Sequence, residues 1–154
     1  FIPVFNCNKQ IVRLIKKLEG ENLDLIDEIL IIDNRSTDNT VDEIKTLLAN
    51  IKMNIRIKLI QNDYNYHLGG SHKIAFNYAL ENDYCGLIIM HGDDQTELNY
   101  LTHILNDKKN YLGARFHKDS ILPGYSKIRI LGNKLFNFFF STIIKKKFLI
   151  SGVA

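Results

Sequence analysis

Residues 28–40 read EILIIDNRSTDNT, an apolar run that ends in polar residues and then in a helix start. The run Glu28–Asp33 has four consecutive apolar positions instead of the alternation of a half-exposed strand. Such continuity is typical of a parallel strand that is covered on both faces. Thr40 and Glu43 have the spacing of a capping box, which predicts a helix over 41–49. This strand–loop–helix unit predicts an α/β protein.

Apolar strands and amphipathic helices alternate on either side of this unit. Further strands are predicted at Phe1–Phe5, Ile55–Ile60, Tyr84–Met90 and Tyr111–Phe116, and further helices at 9–18, 71–81 after a break at Gly69-Gly70, 96–106 and 128–149. The alternation favours a Rossmann-like α/β fold, with a mostly parallel central sheet and helices on both faces. We expect a single domain over residues 1–154 that lacks residues at both ends, because the chain starts inside a strand and stops without a polar ending.

Composition and motifs narrow the function classes. With 45% hydrophobic and 24% charged residues the chain is globular, not disordered. No apolar run approaches the ~20 residues of a membrane-spanning helix. The sequence has no Walker A loop, G-x-G-x-x-G loop, serine nucleophile elbow or H-E-x-x-H zinc motif. These classes of enzyme are therefore disfavoured.

Charge is distributed unevenly along the chain. Residues 1–107 carry 10 Lys and Arg against 16 Asp and Glu, whereas residues 108–154 carry 10 Lys and Arg against a single acid, Asp119. A basic final third suits phosphates, lipid headgroups or nucleic acid. Because no nucleic-acid reading motif is present, we expect no nucleic-acid partner.

Polar residues follow each of the first four predicted strands. They are residues 6–8, 33–38, 62–65 and 91–95. Ligands of open parallel sheets bind beyond the carboxyl ends of the strands, where these loops meet. We therefore expect one shared crevice.

Two of these loops are rich in carboxylates. In LIIMHGDDQ, residues 87–95, an apolar strand runs into Asp93, whose oxygens suit a divalent cation that shares substrate phosphates. A solvated turn that caps the next helix is the alternative. Asp33 or Asn34 could accept hydrogen bonds from a base or ribose, and a plain strand-to-helix turn is the alternative there.

Taken together, these loops resemble the inverting family 2 glycosyltransferases with the GT-A fold. That family reads I-P-x-Y-N, D-D-G-S-T-D-x-T, N-x-G-x-x-x-A-x-N-x-x-x-A and D-x-D-x-Q, and the matching stretches here are Ile2–Asn6, Asp33–Thr40, Asn65–Ala79 and His91–Gln95. Order and spacing agree over about residues 1–116.

The resemblance implies a nucleoside-diphosphate sugar donor and a bound Mn²⁺ or Mg²⁺. Its donor-binding residues would be Pro3, Phe5, Asn6, Asp33, Asn34, Ser36, Asn65, Gly70 and Lys73. Its metal ligands would be His91, Asp93 and Gln95.

The last third resembles polyprenyl-phosphate glycosyltransferases of the dolichol-phosphate mannose synthase kind. The matching residues are Gly113-Ala114-Arg115, Tyr125, Arg129, Gly132–Leu135 and Ser151-Gly152. This resemblance implies a polyprenyl-phosphate acceptor, with Arg115 and Arg129 contacting phosphates and acting with Asp93 in catalysis. A saccharide hydroxyl acceptor, as in cell-surface polysaccharide synthesis, is the alternative.

Three positions depart from the family pattern. His91 replaces the first metal-loop Asp, Asn34 replaces the second Asp of the nucleotide loop, and Arg35 replaces its Gly. Imidazole suits Mn²⁺ better than Mg²⁺. A degenerate nucleotide-binding domain without catalysis is thus an alternative. A nucleotidyltransferase is a weaker one, since it should carry a Gly-rich basic loop in place of residues 6–8.

Residues 128–149 combine an apolar helical face with three following lysines, Lys145, Lys146 and Lys147. One interpretation is an interfacial helix at an anionic membrane, which would place the protein in the cytoplasm at the inner membrane face. The other is a core-packing helix with a solvated lysine end.

Overall fold

The computed structural model describes residues 1–93, residues 98, 101 and 105, and residues 126–144. The chain falls into two compact units, Phe1–Asp107 and Lys108–Ala154. The first unit contains β1 (Ile2–Val4), α1 (Asn8–Glu19), β2 (Glu28–Asp33), α2 (Thr40–Asn50), β3 (Arg56–Gln61) and α3 (His67–Glu81); the second contains α4 (Lys127–Ile144). The expectation of one catalytic domain stays a prediction.

The sheet is parallel, in the order β1-β2-β3. Val4 pairs with Asp33, and Asp33 pairs with Gln61, so the strands end level with one another. The predicted α/β class and parallel sheet are confirmed. The predicted β2 has the observed bounds, and the predicted β1 and β3 differ from the observed strands by one residue at each end.

The predicted strand at Tyr84–Met90 is wrong, because this segment has no regular strand. Its end nevertheless lies parallel to β1. The Phe1 amino group donates to the Ile88 carbonyl at 2.7 Å, and the amides of Met90 and Gly92 donate to Phe1 and Pro3 at 2.9 and 3.3 Å. Pro3 has no N–H, so it cannot complete the ladder at its own position.

Residues of β2 alternate between two apolar clusters, one on each face of the sheet. Ile29 and Ile31 join the larger cluster, formed mainly with α1 and α2. Leu30 and Ile32 join the smaller one, which includes Ala75 of α3. The continuous apolar run is thus explained by burial on both faces.

The buried residues of the helices follow the predicted periodicity. The predicted inward residues of α1 are buried at Ile11, Leu14, Ile15 and Leu18, and half-buried at Val12. The predicted inward leucines Leu98 and Leu101 are buried in the larger cluster, and Leu105 packs against it. The predicted strand Tyr111–Phe116 lies outside the described residues.

Two predicted helix starts are wrong. Thr40 is not a cap: its Oγ1 donates to Asp38 Oδ1 at 2.5 Å and accepts from the Cys7 amide at 3.0 Å. Helix α3 begins at His67, so Gly69 and Gly70 lie inside it instead of breaking the chain. A Cβ at Gly70 would lie 2.3 Å from the Tyr66 Cβ, so glycine allows close packing there.

Helix α4 confirms the predicted C-terminal helix over residues 128–144, and residues 145–149 of that prediction, with their three lysines, lie outside the described residues. Within the described residues, no helix is long and apolar enough to cross a membrane.

A polar cluster closes the amino-terminal end of the sheet. The Glu28 carboxylate, only 2% exposed, pairs with Arg56 at 2.7 Å and accepts hydrogen bonds from the hydroxyls of Tyr78, at 2.9 Å, and Tyr84. Burial by itself would raise the pKa of Glu28, but the hydrogen bonds from Tyr84 and Tyr78 and the charge of Arg56 hold it below its ordinary value. The cluster ties α3 and the segment after it to β2 and β3.

The substitution Glu28→Gln is expected to destabilise the protein by about 2 kcal/mol at pH 7, because charge-assisted hydrogen bonds are lost. Because folding lowers the pKa of Glu28, its ionised carboxylate stabilises the protein at pH values above the ordinary glutamate pKa of about 4.3. This stabilisation is lost as the pH falls through the pKa that Glu28 has in the folded state. Urea unfolding at pH 7 and pH 3 should therefore show a larger difference between wild type and variant at pH 7 than at pH 3. Glu81→Gln, at an exposed position of α3, is the matched control. An equal effect of both variants would contradict the role of the cluster.

Candidate functional site

The loops that follow the strands meet at one end of the sheet. We call this region the carboxyl rim and define it as Asn6, Asp33–Asp38, Asn62–His67 and Asp93. The carboxyl ends of parallel strands share one edge by geometry, and hydrogen bonds between the loops join them there. The polar loops therefore share one edge of the sheet, and the expected crevice between them stays a prediction.

Asn6 joins the loop after β1 to the loop after β2. The backbone N–H of Asn6 donates to Ser36 Oγ at 2.9 Å, and the side-chain Oδ1 of Asn6 accepts from the backbone N–H of Thr37 at 2.8 Å. Asn6 has φ 48° and Arg35 has φ 66°. Left-handed backbone suits glycine or asparagine, so the family's glycine at the Arg35 position has a conformational explanation.

Asp33 lies below the surface of the rim, with no exposed area. Its carboxylate accepts from the Ser36 amide at 3.1 and 3.3 Å and from Gln61 Nε2 at 3.1 Å. These contacts hold the turn that follows β2. Its role as a nucleoside contact stays a prediction.

Asn34 is also buried, with 6% of its surface exposed. Its Oδ1 accepts from Asn62 Nδ2 at 3.1 Å and from the Tyr66 amide at 2.9 Å, and its Nδ2 donates to Asn65 Oδ1 at 2.7 Å. Two predicted donor-binding residues, Asn34 and Asn65, thus bind each other across the rim.

Asp38 connects the loop after β2 to α1. Burial by itself would raise its pKa, but hydrogen bonds from the Thr40 hydroxyl and amide outweigh burial and lower it. Because Thr40 Oγ1 also accepts from the Cys7 amide, a continuous chain of bonds runs from Asp38 to the start of α1.

Gly92 brings the predicted metal loop against β1. A Cβ at this position would lie 2.7 Å from Val4 Cγ1 and 3.0 Å from the Pro3 carbonyl oxygen. Real Cβ atoms do not approach so closely, so only glycine fits here. The contact places Asp93, the next residue, at the end of β1.

The carboxylates of Asp33, Asp38 and Asp93 all lie near the Cys7 thiol. Burial raises its pKa to about 11, and the charges of Asp38, Asp33 and Asp93 act in the same direction. Coulomb interactions weaken with distance, so all three carboxylates lie within electrostatic range of the Cys7 thiol. Asp33 and Asp93, which we expected to hold opposite ends of one donor, lie at the same end of the sheet.

Within the described residues, no group of three or more His, Cys, Asp and Glu could hold a metal ion. Asp94 and the predicted ligand Gln95 lie outside those residues, and His91 and Asp93 each have an interaction partner. Asp93 carries the kind of oxygen donor that a hard cation prefers, and it directly follows Gly92 beside β1. The metal ligands stay predictions.

The other predicted site residues fall into three groups. Pro3 is buried in the middle of β1, and Phe5, at 47% exposure, follows it at the rim. Gly70 and the exposed Lys73 lie in the first two turns of α3. Arg115 and the side chain of Arg129 lie outside what the structure describes.

Sequence reasoning missed three polar residues that support the rim. Asn62 is buried and bonds Asn34, Gln61 bonds Asp33, and Thr40 bonds Cys7 and Asp38. Their position directly after or before an element was the available signal. Turn residues are commonly polar, however, so position alone could not single them out.

The fold and the rim define an α/β protein of Rossmann-like topology with a polar edge at the carboxyl ends of its strands. The model of the glycosyl transferase family 2 matches residues 1–149, so the chain belongs to that family and has its GT-A fold. Family membership supports glycosyl transfer from a nucleotide-sugar donor to an acceptor. Comparisons with curated proteins and with solved structures gave no match.

Proposed function

We propose that the protein transfers a hexose, with inversion and with Mn²⁺ or Mg²⁺, from a nucleoside-diphosphate sugar to a polyprenyl phosphate. The observation that carries the donor part is that Asp33 and Asp93 lie at the same end of the sheet. Asp33 ends β2 beside Val4, and Asp93 follows Gly92, which packs on Pro3 and Val4 of β1. Two carboxylates at one rim can serve the nucleoside and the diphosphate of one donor. This donor site belongs to the residues before Asp107.

Asp93, with His91 and Gln95, would hold the cation. When bound, the cation neutralises the charge that builds up on the departing nucleoside diphosphate. Asp33 keeps the nucleotide loop in one conformation through Ser36 and Gln61. Preorganised polar groups of this kind lower the cost of positioning the donor.

The chemical step needs no dedicated base if the acceptor is a phosphate. A phosphate oxygen, already ionised near neutral pH, forms the new bond to the anomeric carbon from the far side. The bond to the diphosphate breaks, and its electron pair leaves with the nucleoside diphosphate. A sugar hydroxyl acceptor would instead require a general base to take its proton.

Helix α4 supports the lipid acceptor. Ile128, Leu131, Leu135, Phe138 and Phe139 are 49–82% exposed. At helical spacing they form one apolar stripe about 100° wide. An exposed apolar stripe in a basic segment suits the interface of an anionic membrane. On the resemblance alone, Arg115 and Arg129 are proposed as phosphate contacts.

The test combines turnover with membrane binding. We expect the purified protein to glycosylate a polyprenyl phosphate when it is given nucleotide sugars and Mn²⁺. Turnover only with saccharide acceptors would contradict the polyprenyl-phosphate acceptor. Donor binding without any turnover would favour the non-catalytic alternative.

Replacement of Phe138 and Phe139 by serine should reduce flotation with anionic vesicles about tenfold or more, because two exposed apolar side chains no longer insert. Phe76→Ser, at a half-exposed aromatic of α3, is the matched control. Unchanged flotation of the α4 variant would contradict the membrane role.

A further inference from the structure

The two amides of Asn34 and Asn65 have only one orientation that satisfies their neighbours. Asn34 Oδ1 receives two donors, Asn62 Nδ2 and the Tyr66 amide. Asn65 Oδ1 also receives two donors, Asn34 Nδ2 at 2.7 Å and the His67 amide at 2.9 Å. An amide flip at either residue would set donor against donor. Asn34 must therefore donate and accept, whereas the Asn65 oxygen only accepts.

This network fixes the loop that leads into α3. Asn62 Nδ2 also contacts Ser71 Oγ at 3.3 Å, so the bonds reach the helix itself. His67 has φ 57°, and the bond from its amide to Asn65 supports this unfavourable backbone. The loop presents two exposed rings, Tyr64 at 71% and Tyr66 at 45%, which meet edge to face.

We propose that Asn34 is a positioning residue of the donor site, which acts through loop 62–67 instead of touching the nucleoside. Its amide joins the end of β2 to the loop and holds the loop and its two tyrosines in a single arrangement. A carboxylate at position 34 would face Asn65 Oδ1 as a second acceptor and could not make this bond. The inference rests on the proposed donor site at the carboxyl rim.

Two isosteric substitutions at this one hydrogen bond provide the test. Asn34→Asp and Asn65→Asp each add one negative charge to the same 2.7 Å contact. Only Asn34→Asp removes a required donor, because a carboxylate at position 65 can still accept from Asn34 and from His67. The Asn65→Asp variant therefore controls for charge and for the site of the change.

Two measurements separate loop positioning from donor binding. Hydrogen exchange at the amides of Tyr66 and His67 should become at least about tenfold faster in Asn34→Asp, as expected for a buried bond that is lost. Calorimetry with UDP and with GDP, each with Mn²⁺ and well below the melting temperature, should show about tenfold weaker binding for the same variant. Asn65→Asp should stay within about twofold of wild type in hydrogen exchange. The control for affinity is Asn22→Asp, at an exposed residue outside the carboxyl rim whose Oδ1 accepts from the Asp24 amide, and it should bind both nucleotides within about twofold of wild type.

Equal exchange in Asn34→Asp and Asn65→Asp, or equal nucleotide affinity in Asn34→Asp and Asn22→Asp, would overturn the proposal. Faster exchange with unchanged affinity would also overturn it, because the loop would then be held without serving the donor. If wild type binds neither nucleotide, the proposed donor site fails and this role of Asn34 fails with it. Exchange would in that case still show whether the amide holds the loop.

Discussion

The substitution Asp93→Asn is expected to lower kcat/KM about a thousandfold while the protein stays folded. Asp93 follows the tightly packed Gly92 at the end of β1, and its charge acts on the Cys7 thiol together with those of Asp33 and Asp38. A cation that neutralises the leaving group contributes several kcal/mol, and about 4 kcal/mol corresponds to a thousandfold in rate. Asparagine keeps the shape of the side chain but removes the charge that holds the cation.

Steady-state kinetics over a range of Mn²⁺ concentrations measures this effect. We expect the variant to need far more Mn²⁺ for its residual rate and to melt within a few degrees of wild type. Asp24→Asn is the control, because Asp24 is exposed and precedes β2 at the opposite end of the sheet. A variant that keeps more than about a tenth of the wild-type kcat/KM would show that Asp93 is not the principal metal ligand.

The substitution Gly92→Ala should both destabilise the protein and inactivate what remains folded. The new Cβ would lie 2.7 Å from a methyl group of Val4 and 3.0 Å from the Pro3 carbonyl oxygen. Val4 is 2% exposed and cannot move aside freely. Overpacking of this kind costs about 1–3 kcal/mol. A shift of about 1 Å at the neighbouring Asp93 can cost about a hundredfold in rate.

Urea unfolding and kcat/KM together test this prediction. Gly86→Ala is the matched control in the same segment, because no atom lies within 4 Å of a Cβ built there. The control should change stability by less than about 0.5 kcal/mol. If Gly92→Ala behaves like Gly86→Ala, the metal loop does not depend on its close contact with β1.

Much of the fold could be predicted because it depends on local periodicity. The apolar run of β2 and the inward residues of α1 correspond to buried positions in the structure. The predictions were wrong at positions where a residue distant in sequence determines the hydrogen bonding. Pro3 leaves the ladder beside Met90 incomplete, and Thr40 bonds Cys7 instead of capping its own helix.

The candidate site was predicted as a set of loops, but not as a set of contacts. Position after a strand was enough to group Asp33, Asn34 and Asp93. It did not indicate that the side-chain amide of Asn34 would form hydrogen bonds with Asn62, Asn65 and the Tyr66 backbone amide. Such bonds join residues about 30 positions apart, so no local pattern encodes them.

By itself the sequence determined the places of β1 to β3 and of α1 to α4 and that polar loops follow these strands, because hydrophobic periodicity reflects burial on neighbouring turns and pleats. The tertiary structure alone decided that Gly92 packs on Pro3 and that the Asn34 amide points at Asn65. Those outcomes depend on distances between strands and loops, and these distances exist only once the sheet has formed.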